Sequence, residues 1–234
     1  MNTDQDQDQV LVSIVTGTLN RLEQLQHMID SVNGESLRDS YEFIVVDGGS
    51  TDGTAEWLAT QPGIHYIQQG AALGAVKAFN AGFLAARGTF VVNLNDDCIV
   101  RAPVIPRAIA QLKCGYHGGG AKVGQIAIPF TAPGQDKPQT LSIRLGTASW
   151  PYANFGVTWR WLGNQLGWWG DQYFQYGGDT ELSMKIWKAG YHIEPLKGTT
   201  KGTGYIEHFE TMDDTRKFDP TDMKKFLDAW NNYE

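Results

Sequence analysis

Between residues 10 and 94 the hydrophobic pattern switches repeatedly between buried-strand runs and helical spacing, and this alternation constrains the fold more than any other feature. Val10–Thr16 is a short apolar run. Leu22, Leu25, Met28, Ile29 and Val32 then recur at helical spacing, behind an Asn20-x-x-Glu23 pair that matches a capping box and ahead of Asn33-Gly34. Tyr41–Val46 reads as a buried strand, Ala55–Ala59 as a helix capped by Ser50 or Thr51, and Ile64–Gln68 as a third strand. A third helix over Ala75–Arg87, with Val76, Phe79, Phe83 and Ala86 on one face, leads into a fourth strand at Thr89–Leu94. Strand, helix and strand at intervals of ~20–30 residues are the mark of right-handed βαβ units, so the fold class is α/β with a mostly parallel, Rossmann-like sheet flanked by helices.

The second half reads differently. From Gly115 to Gly178 glycines and aromatics crowd together without a clear period. Helical spacing returns in Glu181–Ala189 and again near the end, where Met223, Phe226, Leu227 and Trp230 fall at i, i+3, i+4 and i+7. No linker composition or internal repeat divides the chain, so one domain is expected over 1–234. Residues of about 10–115 form a ligand-binding half, about 116–210 a second half, and 211–234 a lid and a terminal helix. In the lid, Arg216 and Lys217 are cations placed to reach a bound anion, with a solvated loop as the alternative.

Charge narrows the partners. Nineteen Lys and Arg against 26 Asp and Glu leave a net charge of −7, which disfavours broad contact with duplex DNA or anionic lipid. The longest apolar runs fall far short of the ~18 residues that cross a bilayer, and the polar, acidic first nine residues are the reverse of a signal peptide. Cys98 and Cys114 make neither a disulfide framework nor a zinc site, and a cytoplasmic location is expected.

In an open α/β sheet, ligands bind beyond the carboxyl ends of the strands. Strand one ends in Thr16-Gly-Thr-Leu-Asn-Arg21, strand two in Asp47-Gly-Gly-Ser-Thr-Asp-Gly-Thr54 and strand four in Asn95-Asp-Asp97. Neither a dinucleotide fingerprint nor a P-loop occurs. Adjacent carboxylates at the end of an apolar strand repel one another unless a cation lies between them, so Asp96 and Asp97 point to a magnesium-type ion bridging to phosphate.

The strings Ser13-Ile-Val-Thr-Gly-Thr-Leu-Asn-Arg21, Asp47-x-Gly-Ser-Thr-Asp-Gly-Thr54, Gly74-x-x-x-Ala-x-Asn-x-Gly82 and Leu94-Asn-x-Asp97 resemble, in order and spacing, the GT-A-type glycosyltransferases of family 2. Tyr176-Gly-Gly-Asp-Thr-Glu-Leu182, Lys188-Ala-Gly-Tyr191 and His208 extend the resemblance over roughly residues 11–210. It implies an inverting enzyme that moves a sugar from a nucleotide-diphosphate sugar, UDP- or dTDP-linked, to a hydroxyl acceptor: a glycan, a small molecule or a modified nucleobase. By that resemblance Asp47 accepts a hydrogen bond from the base, Thr18 and Arg21 line the nucleoside pocket, and Asn95, Asp96 and Asp97 form the D-x-D position. Asp97 holds Mn2+ or Mg2+ on the diphosphate as a Lewis acid, with His208 as a further ligand. Asp179 matches the general base that deprotonates the acceptor.

Three positions depart from the family pattern. Asn95 opens the D-x-D position, Gly178 stands where many relatives carry an acidic residue, and Phe79 replaces a frequent Arg. The second departure leaves Glu181 beside Asp179 as an alternative base; otherwise its place in a helix's first turn gives it a structural or acceptor-orienting role. Asp179 itself matches an N-cap as well as a base. Five tryptophans fall between Trp150 and Trp169, and most suit a core. Trp168 and Trp169, in a Gly167–Gly170 turn just before Asp179, are expected to offer one aromatic face to the acceptor. The terminal helix, with mixed charge on its polar side, is expected to dock on the core rather than insert in a membrane. Two other readings stay open, a nucleotidyltransferase and a non-catalytic nucleotide-sugar- or glycan-binding relative.

Overall fold

In the computed structural model the described residues are 11–35, 37, 40–117, 122–200, 202–209 and 220–231. The proposed lid and its cations Arg216 and Lys217 lie outside them. The first half runs β1 (Val12–Thr18), α1 (Leu22–Asn33), β2 (Tyr41–Asp47), α2 (Thr54–Leu58), β3 (Ile64–Gln68), α3 (Ala75–Ala85), β4 (Phe90–Asn93), β5 (Cys98–Arg101) and α4 (Ile105–His117). The second half adds β6 (Val123–Ala127), β7 (Phe130–Thr131), β8 (Leu141–Leu145), β9 (Ala148–Tyr152), β10 (Gly156–Trp159) and α5 (Arg160–Leu166). It closes with α6 (Gly178–Lys188), β11 (His192–Pro195), β12 (Tyr205–His208) and α7 (Pro220–Trp230).

Seven strands form one sheet in the order β11-β6-β10-β4-β1-β2-β3. β1 lies parallel to both β2 and β4, and β2 parallel to β3; β10 alone runs antiparallel to its neighbours β4 and β6. The chain therefore winds outward from β1 to β3, crosses back through α3 to β4 on the other side, and opens a crevice beyond the carboxyl ends of β1 and β4. The central strands carry side chains buried on both faces, which explains why they read as continuous apolar runs. One hydrophobic layer packs α1, α2 and α4 on one face through Leu25, Met28, Leu58 and Leu112. The other packs α3, α5, α6 and α7 through Phe83, Leu162, Leu182 and Phe226.

A small sheet, ordered β5-β12-β7, sits beside the crevice. Its antiparallel register pairs His208 with Cys98, and so brings the end of β12 against the turn that follows β4. The terminal helix α7 docks on the core, with Phe226 fully buried and Trp230 nearly so.

The helix caps differ from those expected. α1 has no capping box: Asn20 adopts φ +53° and its Oδ1 accepts the Thr51 backbone N–H at 2.7 Å. The N–H of Leu22 is instead satisfied by Asp52 Oδ2 at 3.2 Å. The other oxygen of Asp52 accepts the Thr54 N–H and hydroxyl at 3.1 and 2.6 Å, so one carboxylate starts both α1 and α2. Asp179 is no N-cap, because α6 begins at Gly178 after a left-handed Gly177 at φ +90°.

Candidate active site

The crevice holds a pocket of about 410 Å³. Gly17, Thr18 and Leu19 from the end of β1 form one wall, together with Gly48 and Asp96. Gln69, Leu73 and Gly74 form the floor, and Phe174, Gln175 and Tyr176 face them from the loop before α6. Gln69 was not singled out by the sequence. Its Oε1 is buried without a hydrogen-bond partner among the described residues, which suits a side chain placed to read a polar ligand edge.

At the head of the pocket Thr18 Oγ1 donates to Asp96 Oδ2 at 2.9 Å. Arg21 does not line a nucleoside pocket. Its guanidinium turns inward and binds Asp96 Oδ1 at 3.0 Å and Asp97 Oδ2 more closely still. All three side chains are more than nine-tenths buried, so two adjacent carboxylates share one fixed cation. His208 Nε2 lies 3.0 Å from the remaining Asp97 oxygen. Burial alone would push the Asp97 carboxyl up, but His208 and Arg21 outweigh it and hold it below its ordinary value. Cys98 moves the other way: burial first, and then the two aspartates, push its thiol well above the ordinary range.

Asp97 and His208 suit a divalent ion. Neighbouring ligands that each stand ~2.0–2.2 Å from one ion lie about 3 Å apart, close to the 3.0 Å seen here. Among the described residues no cluster of three His, Cys, Asp or Glu side chains is arranged to hold an ion by itself. Oxygens of a phosphate ligand and water would therefore complete such a shell.

Asp47 is also placed differently from its expected role. It is fully buried, and its oxygens accept the Ser50 N–H at 3.0 Å, the Ser50 hydroxyl at 2.5 Å and the Tyr66 hydroxyl at 3.5 Å. It shapes the loop after β2 instead of facing the pocket. Asn95 forms the turn into β5, where its carbonyl accepts the Cys98 thiol.

Asp179 lies in the first turn of α6, three positions beyond the pocket wall, and is partly exposed. Burial raises its carboxyl to about 6, against the lowering effect of the Thr180 N–H and hydroxyl. Tyr152, at the end of β9, feels the same charge: burial and Asp179 together push its phenol above the ordinary range. Glu181 points away from this face, toward Gln172 Nε2 at 3.2 Å and Lys185 Nζ at 3.6 Å. These contacts brace the turn before α6. The divergence from Asp179 follows from spacing: two residues along a helix turn the side chain ~200° about the axis.

Trp168 and Trp169 are buried, contrary to what their glycine turn suggests. They are only 3% and 7% exposed. Trp168 stacks on Phe83 with ring centres 4.5 Å apart, and Trp169 lies 4.6 Å from the ring of Phe79. Asn80 fixes the turn between them and α3 by accepting the Trp169 N–H at 3.1 Å and donating to its carbonyl at 2.9 Å. Both indoles are core, and neither face is open to an acceptor.

Residues 13–164 match the family model described as glycosyl transferase family 2. An uncharacterized glycosyltransferase of Mycobacterium tuberculosis is 37% identical over 103 residues, covering 43% of this chain and 39% of that protein. An undecaprenyl-phosphate 4-deoxy-4-formamido-L-arabinose transferase of Enterobacter is 33% identical over 112 residues, 45% of this chain and 34% of that protein. The matched stretches thus span about a third to two fifths of these relatives' length. Among solved structures, residues 1–349 of S. aureus TarS in complex with UDP-GlcNAc superpose with a TM-score of 0.70 at 16% identity, over 94% of this chain and 65% of that one. The mannosyltransferase PcManGT of Pyrobaculum calidifontis, in complex with GDP-Man and Mn2+, gives 0.62 at 17% identity, over 95% and 69%. These structural likenesses bear on the fold, which is GT-A. With the matched model covering well over half of its residues, the chain belongs to glycosyl transferase family 2.

Proposed function

We propose that this chain transfers a glycosyl group, with inversion, from a nucleoside-diphosphate sugar to an acceptor hydroxyl. One observation carries the reading. One pocket is lined both by the buried Asp96, next to Asp97 in sequence, and by Phe174–Tyr176 of the loop that leads into Asp179. A donor lying in it has its diphosphate at the carboxylates and its sugar toward the base. Thr18 and Gln69 supply polar contacts to the nucleoside, and Leu19, Leu73 and Phe174 supply apolar surface around it.

Asp97 and His208 are the groups that would hold Mn2+ or Mg2+, an ion that would offset the charge growing on the departing diphosphate. Use of Mn2+ gains support from the mannosyltransferase neighbour, whose complex contains it. Asp179 takes the proton of the acceptor hydroxyl as that oxygen attacks the anomeric carbon. The bond from that carbon to the diphosphate oxygen breaks on the opposite face, and its electron pair leaves with the nucleoside diphosphate. A carboxyl raised to about 6 is still ionised at pH 7 and more basic than an ordinary aspartate, which suits this task. A UDP- or dTDP-linked donor is favoured, in line with the UDP-GlcNAc bound by TarS. A polyprenyl phosphate, named for one relative, is an alternative acceptor class, and its ionised phosphate oxygen would attack without a general base. Among the described residues no helix is long and apolar enough to cross a membrane.

A thermal-shift screen of UDP-, dTDP- and GDP-sugars, with and without Mn2+, tests the reading in wild type and Asp97→Ala. Ligands that bind the folded state raise its melting point by mass action. The expected result is one donor class whose shift needs the metal and disappears in Asp97→Ala. No shift with any donor would overturn the reading in favour of a glycan-binding relative. Release of pyrophosphate instead of a nucleoside diphosphate would indicate a nucleotidyltransferase.

A further inference from the structure

The terminal helix α7 reaches into the pocket wall through a single buried carboxylate. Asp222 is 2% exposed, and its Oδ2 accepts three successive backbone N–H groups, from Phe174, Gln175 and Tyr176, at 3.0, 2.7 and 3.1 Å. Three consecutive amides converging on one oxygen form an anion nest. Here the chain fills it with its own carboxylate, from 46 to 48 positions away in sequence. Lys225, one turn further along α7, donates to the Gln172 carbonyl at 2.7 Å and to Asp222 Oδ1 at 3.3 Å. Burial would push the Asp222 carboxyl up, but the three amides and Lys225 outweigh it and hold it below the ordinary range.

The first of these residues, Phe174, is also held by α3. The Phe174 carbonyl accepts the Val76 N–H at 3.2 Å. Gly74, at φ +93°, admits that carbonyl so closely that a β-carbon there would sit 2.3 Å from the oxygen. A solvent-facing loop is thus fastened at its amides by α7 and at its carbonyl by α3. Phe174 itself is 54% exposed and adds little to the core. What the fastening does fix is the wall that faces Thr18 and Asp96 across the pocket.

We propose that Asp222 is a positioning residue that sets the width of the donor pocket by holding Phe174–Tyr176 in place. This role rests on the donor-pocket reading above. α6 keeps its own anchors, because Leu182, Met184 and Ile186 are buried in the core. Loss of Asp222 therefore loosens the donor's wall and leaves Asp179 nearly where it was.

The test compares wild type, Asp222→Ala and Asp222→Asn by amide hydrogen exchange, by UDP binding with Mn2+, and by transfer kinetics with the donor found in the screen. Asp222→Ala is expected to speed exchange at 174–176 at least tenfold, with β1 and β2 still protected. It should raise both the UDP Kd and the donor KM about tenfold, with kcat within threefold. Asp222→Asn keeps one accepting oxygen and should recover most of the loss. Unchanged exchange at 174–176 would overturn the clamp. Faster exchange with unaltered Kd and KM would reduce Asp222 to a stabilising contact. If Asp222→Ala does not fold, Asp222→Asn and Lys225→Ala carry the same comparison at smaller amplitude. A wild type that binds no nucleoside diphosphate would remove the donor-pocket reading, and with it this role, while the exchange data would still report whether α7 holds the loop.

Discussion

The indole of Trp169 fills the space that a β-carbon on Gly178 would need, since one built there would stand 2.5 Å from Cε3 of the ring. The same indole packs against Phe79, 4.6 Å away between ring centres. Two departures from the family pattern, Phe79 and Gly178, are therefore one packing unit built around Trp169. Restoring an acidic residue by Gly178→Asp would suit the helix dipole at the start of α6 but would collide with the ring. The expected outcome is a loss of about 1–3 kcal/mol in denaturant titration, the usual range for overpacking. Trp169→Ala is costly by itself through its cavity, yet in that background the added effect of Gly178→Asp should largely vanish. A penalty that persists undiminished in the double variant would mean the indole is not its cause.

Asp179 links activity and stability with opposite signs. Its folded value of about 6 lies above the ordinary aspartate value, so the folded chain holds this proton more tightly than the unfolded one. The stabilising contribution is full below pH ~4 and is lost as pH rises through about 6. Asp179→Asn should therefore abolish transfer yet be more stable than wild type above pH 6, on the order of 1–3 kcal/mol, with the gain fading toward pH 4. The wild-type kcat/KM should climb with unit slope up to pH ~6 and then level off. Melting curves at pH 4.5 and 7.5, beside a pH–rate profile, check both halves. An Asp179→Asn protein that keeps its turnover would assign the base elsewhere.

The two cysteines give a simple check on burial around the carboxylate pair. Cys98 is buried beside Asp97 and donates to the Asn95 carbonyl at 3.1 Å, whereas Cys114 is exposed on α4. Only the thiolate reacts, so an alkylating reagent at pH 7.5 should modify Cys114 readily and leave Cys98 untouched in the native protein. Mass spectrometry of the digested adduct reads the outcome. Early labelling of Cys98 would show that the turn after β4 opens to solvent.

The fold from β1 to β4 is legible in the sequence because its strands are buried on both faces and its helices carry one apolar stripe, whereas β5 and α4, which complete that half, are not read from it. The third strand, Ile64–Gln68, is read to the residue, and its neighbours to within about two. Contacts between distant segments are not legible in this way. Arg21 resembles a pocket residue until the fold brings it to Asp96 and Asp97, 75 and 76 positions away. Asp222 reads as one polar residue on an amphipathic helix, with no local sign that three amides await it. Trp168 and Trp169 look available because they sit in a glycine turn, but burial is decided by the aromatic face of α3, which no spacing within their own segment reveals. His208 is the intermediate case. The resemblance singles it out, and the β5–β12 register supplies the reason it lies beside Asp97.

Arg21 and a divalent ion would compete for the same carboxylate. The guanidinium already binds Asp97 Oδ2 and Asp96 Oδ1, so an ion on Asp97 and His208 must approach a site whose negative charge is half neutralised. Replacing the cation by Arg21→Gln leaves the aspartate pair with two uncompensated charges. Stability without metal should drop by about 3–5 kcal/mol, the range for breaking a buried ion pair. Affinity for Mn2+ alone should rise roughly tenfold, about 1.4 kcal/mol, and added Mn2+ should recover much of the melting temperature. Electron paramagnetic resonance of free Mn2+ measures the affinity, with Asp97→Ala as the variant expected to lose it. If Arg21→Gln is destabilised but Mn2+ neither binds more tightly nor restores the melting point, then the guanidinium is itself the site's working cation, and charge on the departing diphosphate is met by the chain alone.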